Sequence, residues 1–230
     1  YKIEQGEEAS YITALDNNGN PIAAGGAQVL PGFGPQSATN ESRHNVAVFA
    51  EFDTYLTDKW NVVLASRYED YSDFGNTFTS KLATRYSIND NLSLRGAAST
   101  GFRAPSLAQS SYRQISTILE NNQPFEVGLF PSSAPAAQAL GAKQLDAEDS
   151  VNVTAGFVYT QGGFSLTVDA YRIDIDDRIV LSENLSGNAV QQILANAGEL
   201  NTESVRYFTN AINSRTQGVD IVATYTLDLN

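Results

Sequence analysis

Three carboxylates, Asp174, Asp176 and Asp177, crowd into four positions, the kind of oxygen-rich cluster that hard cations such as calcium seek. The glycine turn and distal glutamate of a helix-loop-helix calcium site are missing around them, so they read as the solvated end of a strand. His44 is the only histidine, and any imidazole metal site or Ser-His-Asp triad would have to use it. It stands at a strand start with no motif around it. Glu51, Asp53 and Glu69 offer the paired carboxylates of acid/base chemistry, but basic residues such as Arg67 are interleaved with them, which suggests a salt-bridged wall. Arg103, in the run GFRAPS, braces a strand end, lines a lumen or reaches a ligand. Tyr112 and Phe125 carry rings that stack on a ligand or pack their own loop. Trp60, beside a tight turn, reads as an interfacial residue rather than a sugar platform. With no cysteine in the chain, thiol nucleophiles, thiolate metal sites and disulfides are excluded. The sequence thus points to no catalytic residue, no metal and no cofactor.

The elements that position these residues are strands. The organising stretch is Asn91 to Ser106: Leu92, Leu94, Ala98, Thr100 and Phe102 share one parity, and Ser93, Arg95, Ser99 and Arg103 the other. Side chains on a strand alternate between faces, and Pro105, which has no N–H to donate, ends the ladder. Three similar strands precede it, from His44 to Leu56, from Trp60 to Tyr68 and from Phe78 to Ile88, joined by turns at Thr57-Asp58-Lys59, Asp73-Phe74-Gly75-Asn76 and Asn89-Asp90-Asn91. A fifth runs from Ser150 to Thr160, turns at Gln161-Gly162-Gly163 and continues as a sixth from Phe164. In the sixth, the apolar parity passes from Ala170 to Tyr171, Ile173 and Ile175, which implies either a bulge or exit from an apolar layer. The seventh carries Val219, Ile221, Ala223, Tyr225 and Leu227.

Across the first four strands the even positions hold no charged residue, while Glu51, Asp53, Arg67, Glu69, Lys81, Arg85, Arg95 and Arg103 lie on the other parity. A barrel with lipid outside and water inside requires that split, because a charge facing the bilayer midplane costs roughly 2–4 kcal/mol. A soluble β-sandwich or adhesin-like binding module shows the same split with its apolar face turned inward. Strand length and aromatic residues near strand ends favour the membrane. So do connections that are short on one side and mostly long on the other. A third reading is a small closed barrel that recruits an eighth strand near Tyr11.

The rest of the chain reads as loops. Residues 1–43 are polar, acidic and rich in turn formers, with a weak hairpin at Tyr11 to Leu15. Residues 104–147 form one long excursion, with a helical turn or two expected in SLAQSSYRQISTILENN. Within the loop at 182–204, Val190, Ile193, Leu194 and Ala197 predict a helix over 186–200. A net charge of −12 excludes a basic nucleic-acid-binding surface. No apolar run is long enough for a transmembrane helix. The chain opens at Tyr1 with neither an initiator methionine nor a signal peptide, as a fragment or a processed product does.

The segments GFRAPSLAQ (101–109), LDAEDSVNVTAGF (145–157), VDAYRIDIDDRI (168–179) and NSRTQGVDI (213–221), in this order and spacing, resemble the barrel of TonB-dependent outer-membrane receptors. Ala147 stands where that pattern has proline. The resemblance covers residues 44–230. It implies an all-β, antiparallel up-and-down transmembrane barrel segment of about seven strands with long extracellular loops. It also implies a place in the outer membrane of a Gram-negative bacterium, in contact with its lipid. The implied function is active uptake of a scarce nutrient ligand, such as an iron-siderophore, cobalamin or an oligosaccharide. TonB would be engaged through a plug domain that this sequence does not contain. No enzymatic activity and no nucleic-acid partner are implied.

Overall fold

The computed structural model describes residues 2–5, 17–18, 37–120, 123–199 and 202–227. The expected hairpin at 11–15, and with it an eighth strand near Tyr11, lies outside them. Residues 1–43 are more than a loop, because β1 (Lys2–Gln5) pairs antiparallel with β2 (Thr39–Ser42).

Four long strands follow: β3 (Asn45–Thr57), β4 (Trp60–Tyr71), β5 (Gly75–Ser87) and β6 (Leu92–Arg103). Each alternates apolar with polar residues, and each pairs antiparallel with the next across a short turn. The next excursion is more ordered than the sequence suggested. A single short helix, α1 (Leu107–Ser111), is set by a capping box in which Ser106 and Gln109 exchange bonds. It supplies the helical turn expected in this stretch, and the rest of the stretch forms β7 (Gln114–Glu120), paired with β8 (Gln123–Leu129). The β-branched run Ile115, Thr117 and Ile118 prefers a pleated surface to a helix. Then come α2 (Pro135–Ala139), opened by its proline, β9 (Glu148–Gln161) and β10 (Phe164–Leu181). Gly162, with φ +55°, makes the β9–β10 turn possible. β11 (Leu185–Ser186), α3 (Asn188–Asn196), β12 (Ser204–Arg206) and β13 (Phe208–Tyr225) complete the chain. The helix predicted over 186–200 is therefore present in shorter form, whereas the last strand begins well before Val219.

Seven strands form one antiparallel sheet in the order β13-β10-β9-β6-β5-β4-β3, the count and connectivity expected. The parity slip in β10 is not a bulge in its paired part, because the register with β9 runs unbroken from Phe164 opposite Gln161 to Asp176 opposite Asp149. Arg172 and Asp174 therefore stay on the same face as Leu166, Val168 and Ala170, opposite Val153 and Val151 of β9. The backbone irregularity comes later, at Asp177, whose φ of +54° is left-handed.

The chain divides into two units. The sheet unit comprises Asn45–Ala104, Ala147–Arg178 and Ile212–Asn230, and the loop unit Tyr1–His44, Pro105–Asp146 and Ile179–Ala211. The loop unit holds a four-stranded sheet in the order β11-β12-β8-β7. Its core is Phe130, Ala136, Ala137, Ala142, Leu194, Val205 and Tyr207. In the sheet unit the apolar parity stays uncovered: Phe52 is 60% exposed, Phe78 65% and Ile221 68%. A soluble sandwich buries that parity in its core, and here it stays exposed.

Candidate functional site

The polar parity of the sheet unit carries a row of ion pairs. Strand pairing brings Arg95 of β6 near Asp169 of β10, with β9 between them. The guanidinium donates through Nε to Oδ1 at 2.8 Å and through Nη2 to Oδ2. Gly156 of β9 leaves the space for this pair, since a Cβ there would lie 2.2 Å from Asp169 Oδ1 and 2.3 Å from the Val168 carbonyl oxygen. Arg103 and Glu148, opposite each other on β6 and β9, form a second two-point pair, with Nε 3.0 Å from Oε2 and Nη2 donating to Oε1. Glu69 is the third hub. It is buried and accepts from Arg67, the Tyr71 hydroxyl and the Asn45 amide, the last at 3.4 Å. Asp53 accepts from the Asn61 amide at 2.7 Å. Charge-assisted pairs of this kind fix side chains along a wall.

Arg103 is thus paired with Glu148, and its side chain stays 59% exposed. Tyr112 and Phe125 lie in the loop unit. Tyr112, at the C-cap of α1, is half-buried and donates its hydroxyl to Gln114 Oε1 at 2.9 Å; burial pushes its phenol above the ordinary tyrosine value. Phe125 is half-buried on β8 opposite Ile118.

Sequence reasoning passed over Arg113. Its Nη2 donates to Glu199 Oε2 at 2.6 Å, and its guanidinium sits 4.4 Å from the centroid of the Phe130 ring, a cation–π contact. Both side chains of this pair are largely buried. No local pattern marks it, because Glu199 is 86 residues away. Trp60 also differs from a plain girdle residue, since its indole N–H donates to Thr84 Oγ1 at 2.7 Å. Asp174, Asp176 and Asp177 form no cation site: no group of three or more histidine, cysteine or acidic residues able to hold a metal occurs among the described residues.

The model of the TonB-dependent receptor-like β-barrel family matches residues 3–230. The chain belongs to this family. Among curated proteins, the probable TonB-dependent siderophore receptor PirA of Acinetobacter baumannii is 26% identical over 161 residues, 68% of this chain and 20% of that protein. The ferrienterobactin receptor of Escherichia coli is 26% identical over 178 residues, 76% of this chain and 23% of that protein. The chain therefore spans about a fifth to a quarter of these relatives. Among solved structures, the siderophore receptor PirA of Pseudomonas aeruginosa superposes with a TM-score of 0.63 at 20% identity, covering 81% of this chain and 32% of that one. The A. baumannii PirA structure gives 0.62 at 21% identity, with coverages of 96% and 30%. As a piece of a TonB-dependent receptor barrel, the chain is an outer-membrane component and not an enzyme. Its seven strands form an open segment of that barrel.

Proposed function

We propose that this chain supplies barrel wall and outer loops to a receptor that takes up a ferric siderophore, driven by TonB through a plug domain carried elsewhere in the receptor. The observation that carries the reading is the family match over residues 3–230, together with curated relatives that are named as siderophore receptors. Those names favour iron-siderophore over the cobalamin and oligosaccharide that the family resemblance also allows. In this reading residues 1–43, 104–147 and 182–204 face the outside and residues 44–230 otherwise form barrel. Tyr112 and Phe125 are the ring candidates for ligand contact, and Arg103 holds the strand end from which the longest loop departs.

The test uses cells lacking the complete receptor, supplied with radio-iron siderophore, labelled cobalamin or a labelled oligosaccharide. The expected result is a loss of siderophore-iron uptake that the intact receptor restores only when TonB is present. Unchanged iron uptake beside a fall in cobalamin or oligosaccharide uptake overturns the choice of ligand.

A further inference from the structure

On the polar parity of the sheet unit, Arg67 with Glu69, Arg95 with Asp169 and Arg103 with Glu148 answer one another's charges. Across β3, β4 and β5 the charges are left apart. On β3, Phe49, Glu51, Asp53 and Tyr55 follow one another on this parity, with Glu51 opposite Ala65 of β4 and Asp53 opposite Val63. Ala65 in turn lies opposite Lys81 of β5, Val63 opposite Ala83, and Asn61 opposite Arg85. Directly opposed residues of paired strands share a face. Acids therefore line one rim, the bases Lys81 and Arg85 line the other, and Val63 and Ala65 form the floor between them. Two strand spacings, about 10 Å, separate the rims, and no ion pair crosses this gap among the described residues.

The rims are open to a partner. The side chains of Glu51, Lys81 and Arg85 have no ion-pair or hydrogen-bond partner among the described residues, and Asp53 accepts from the Asn61 amide. Arg85 stands directly opposite Arg95, an unfavourable like-charge pairing that Asp169 relieves only on the Arg95 side. Phe49 and Tyr55, at the two ends of the acidic rim, are 72% and 71% exposed, although they stand on the polar parity. At the Phe49 end lies a cavity of about 420 Å³, lined among others by Phe49, Glu51, Ala65, Arg67 and Lys81.

From Phe49 to Tyr55 is six residues, about 20 Å of strand. A trough of this length and width fits an extended stretch of polypeptide. An α-amino acid, with ammonium and carboxylate on one carbon, is too short to meet both rims. The polar parity of an outer-membrane barrel lines its interior, and large transporters of this kind have a plugged lumen. We infer that the trough across β3–β5 docks a segment of the receptor's plug domain. That segment presents a basic side chain to Glu51 and Asp53, a carboxylate to Lys81 and Arg85, and apolar contact to the rings of Phe49 and Tyr55. The inference rests on the reading that the receptor carries a plug elsewhere, and not on which nutrient it takes up.

The test is photo-crosslinking in the complete receptor, with Phe49 replaced by benzoylphenylalanine, no nutrient ligand added, and the joined peptides mapped by mass spectrometry. The expected product joins position 49 to a plug segment that carries both an acid and a base. Lys81→Glu/Arg85→Glu is expected to cut its yield roughly tenfold, because like charges then meet across the interface. Lys81→Arg/Arg85→Lys keeps both charges and most of the yield, and circular dichroism of each variant separates lost docking from lost folding. No product with the plug, an unchanged yield after charge reversal in a folded barrel, or a product that forms only when ferric siderophore is added overturns the proposal. A receptor that restores cobalamin rather than iron uptake would overturn the siderophore reading and leave the crosslink in place.

Discussion

The two units bury apolar surface in opposite ways. In the loop unit Phe130 and Leu194 are 1% and 0% exposed, enclosed by Ala136, Ala137, Val205 and Tyr207, as in any water-soluble core. In the sheet unit Phe52, Leu64, Leu82 and Val219 are exposed, and its most buried side chains are polar: Glu69, Ser93 and Glu148. One chain thus follows two solvent rules. The loop unit excludes water by packing on itself, whereas the sheet unit leaves its apolar parity exposed.

Truncating a core side chain breaks the comparison most directly. Phe130→Ala or Leu194→Ala is expected to cost about 3–5 kcal/mol of loop-unit stability, read as faster cleavage of 105–146 and 179–211 by an external protease while the barrel stays inserted. Digestion at the wild-type rate would mean that the loop unit has no working core. A lipid-facing charge comes next. Leu82→Arg is expected to cost roughly 2–4 kcal/mol when the receptor folds into phospholipid vesicles, measured by urea titration. No change there would show that this parity does not meet hydrocarbon.

The polar wall gives smaller effects. Gly156→Ala is expected to cost about 1–3 kcal/mol by overpacking, since the new methyl meets Asp169 and the Val168 carbonyl. Because the displaced carboxylate is the partner of Arg95, Asp169→Ala made together with Gly156→Ala is expected to recover part of the loss in the same titration. Trp60→Phe removes one hydrogen bond to Thr84 and is expected to cost about 0.5–1.5 kcal/mol. A larger loss would make Trp60 more than a belt residue with one partner.

The difference between the units also explains what was legible in the sequence. Strands β3 to β6 follow a strict period of two because one face is apolar and the other a polar wall, so the alternation of Val46, Val48, Ala50 and Phe52 suffices to read them. The loop unit has no such boundary condition. Ile115 to Leu119 form a strand because β8 lies beside them, and Arg113 is anchored by a glutamate far along the chain; neither partner is visible in a local window. The parity change in β10 was visible as a fact, but only the register with β9 distinguishes an unbroken strand from a bulge. Of the candidate site residues, Arg103 sat in a recognisable run, yet its partner Glu148 is 45 residues away.

β8 and β12 pair in parallel, with Val127 opposite Ser204 and Leu129 opposite Arg206, and they come from two excursions separated by the whole β9–β10 hairpin. Each excursion is the other's template. Two excursions that folded independently would be free to lengthen or change one at a time. Here an insertion that shifts one strand by a single residue unseats the other, so the two segments are bound to vary in step, as one inherited module.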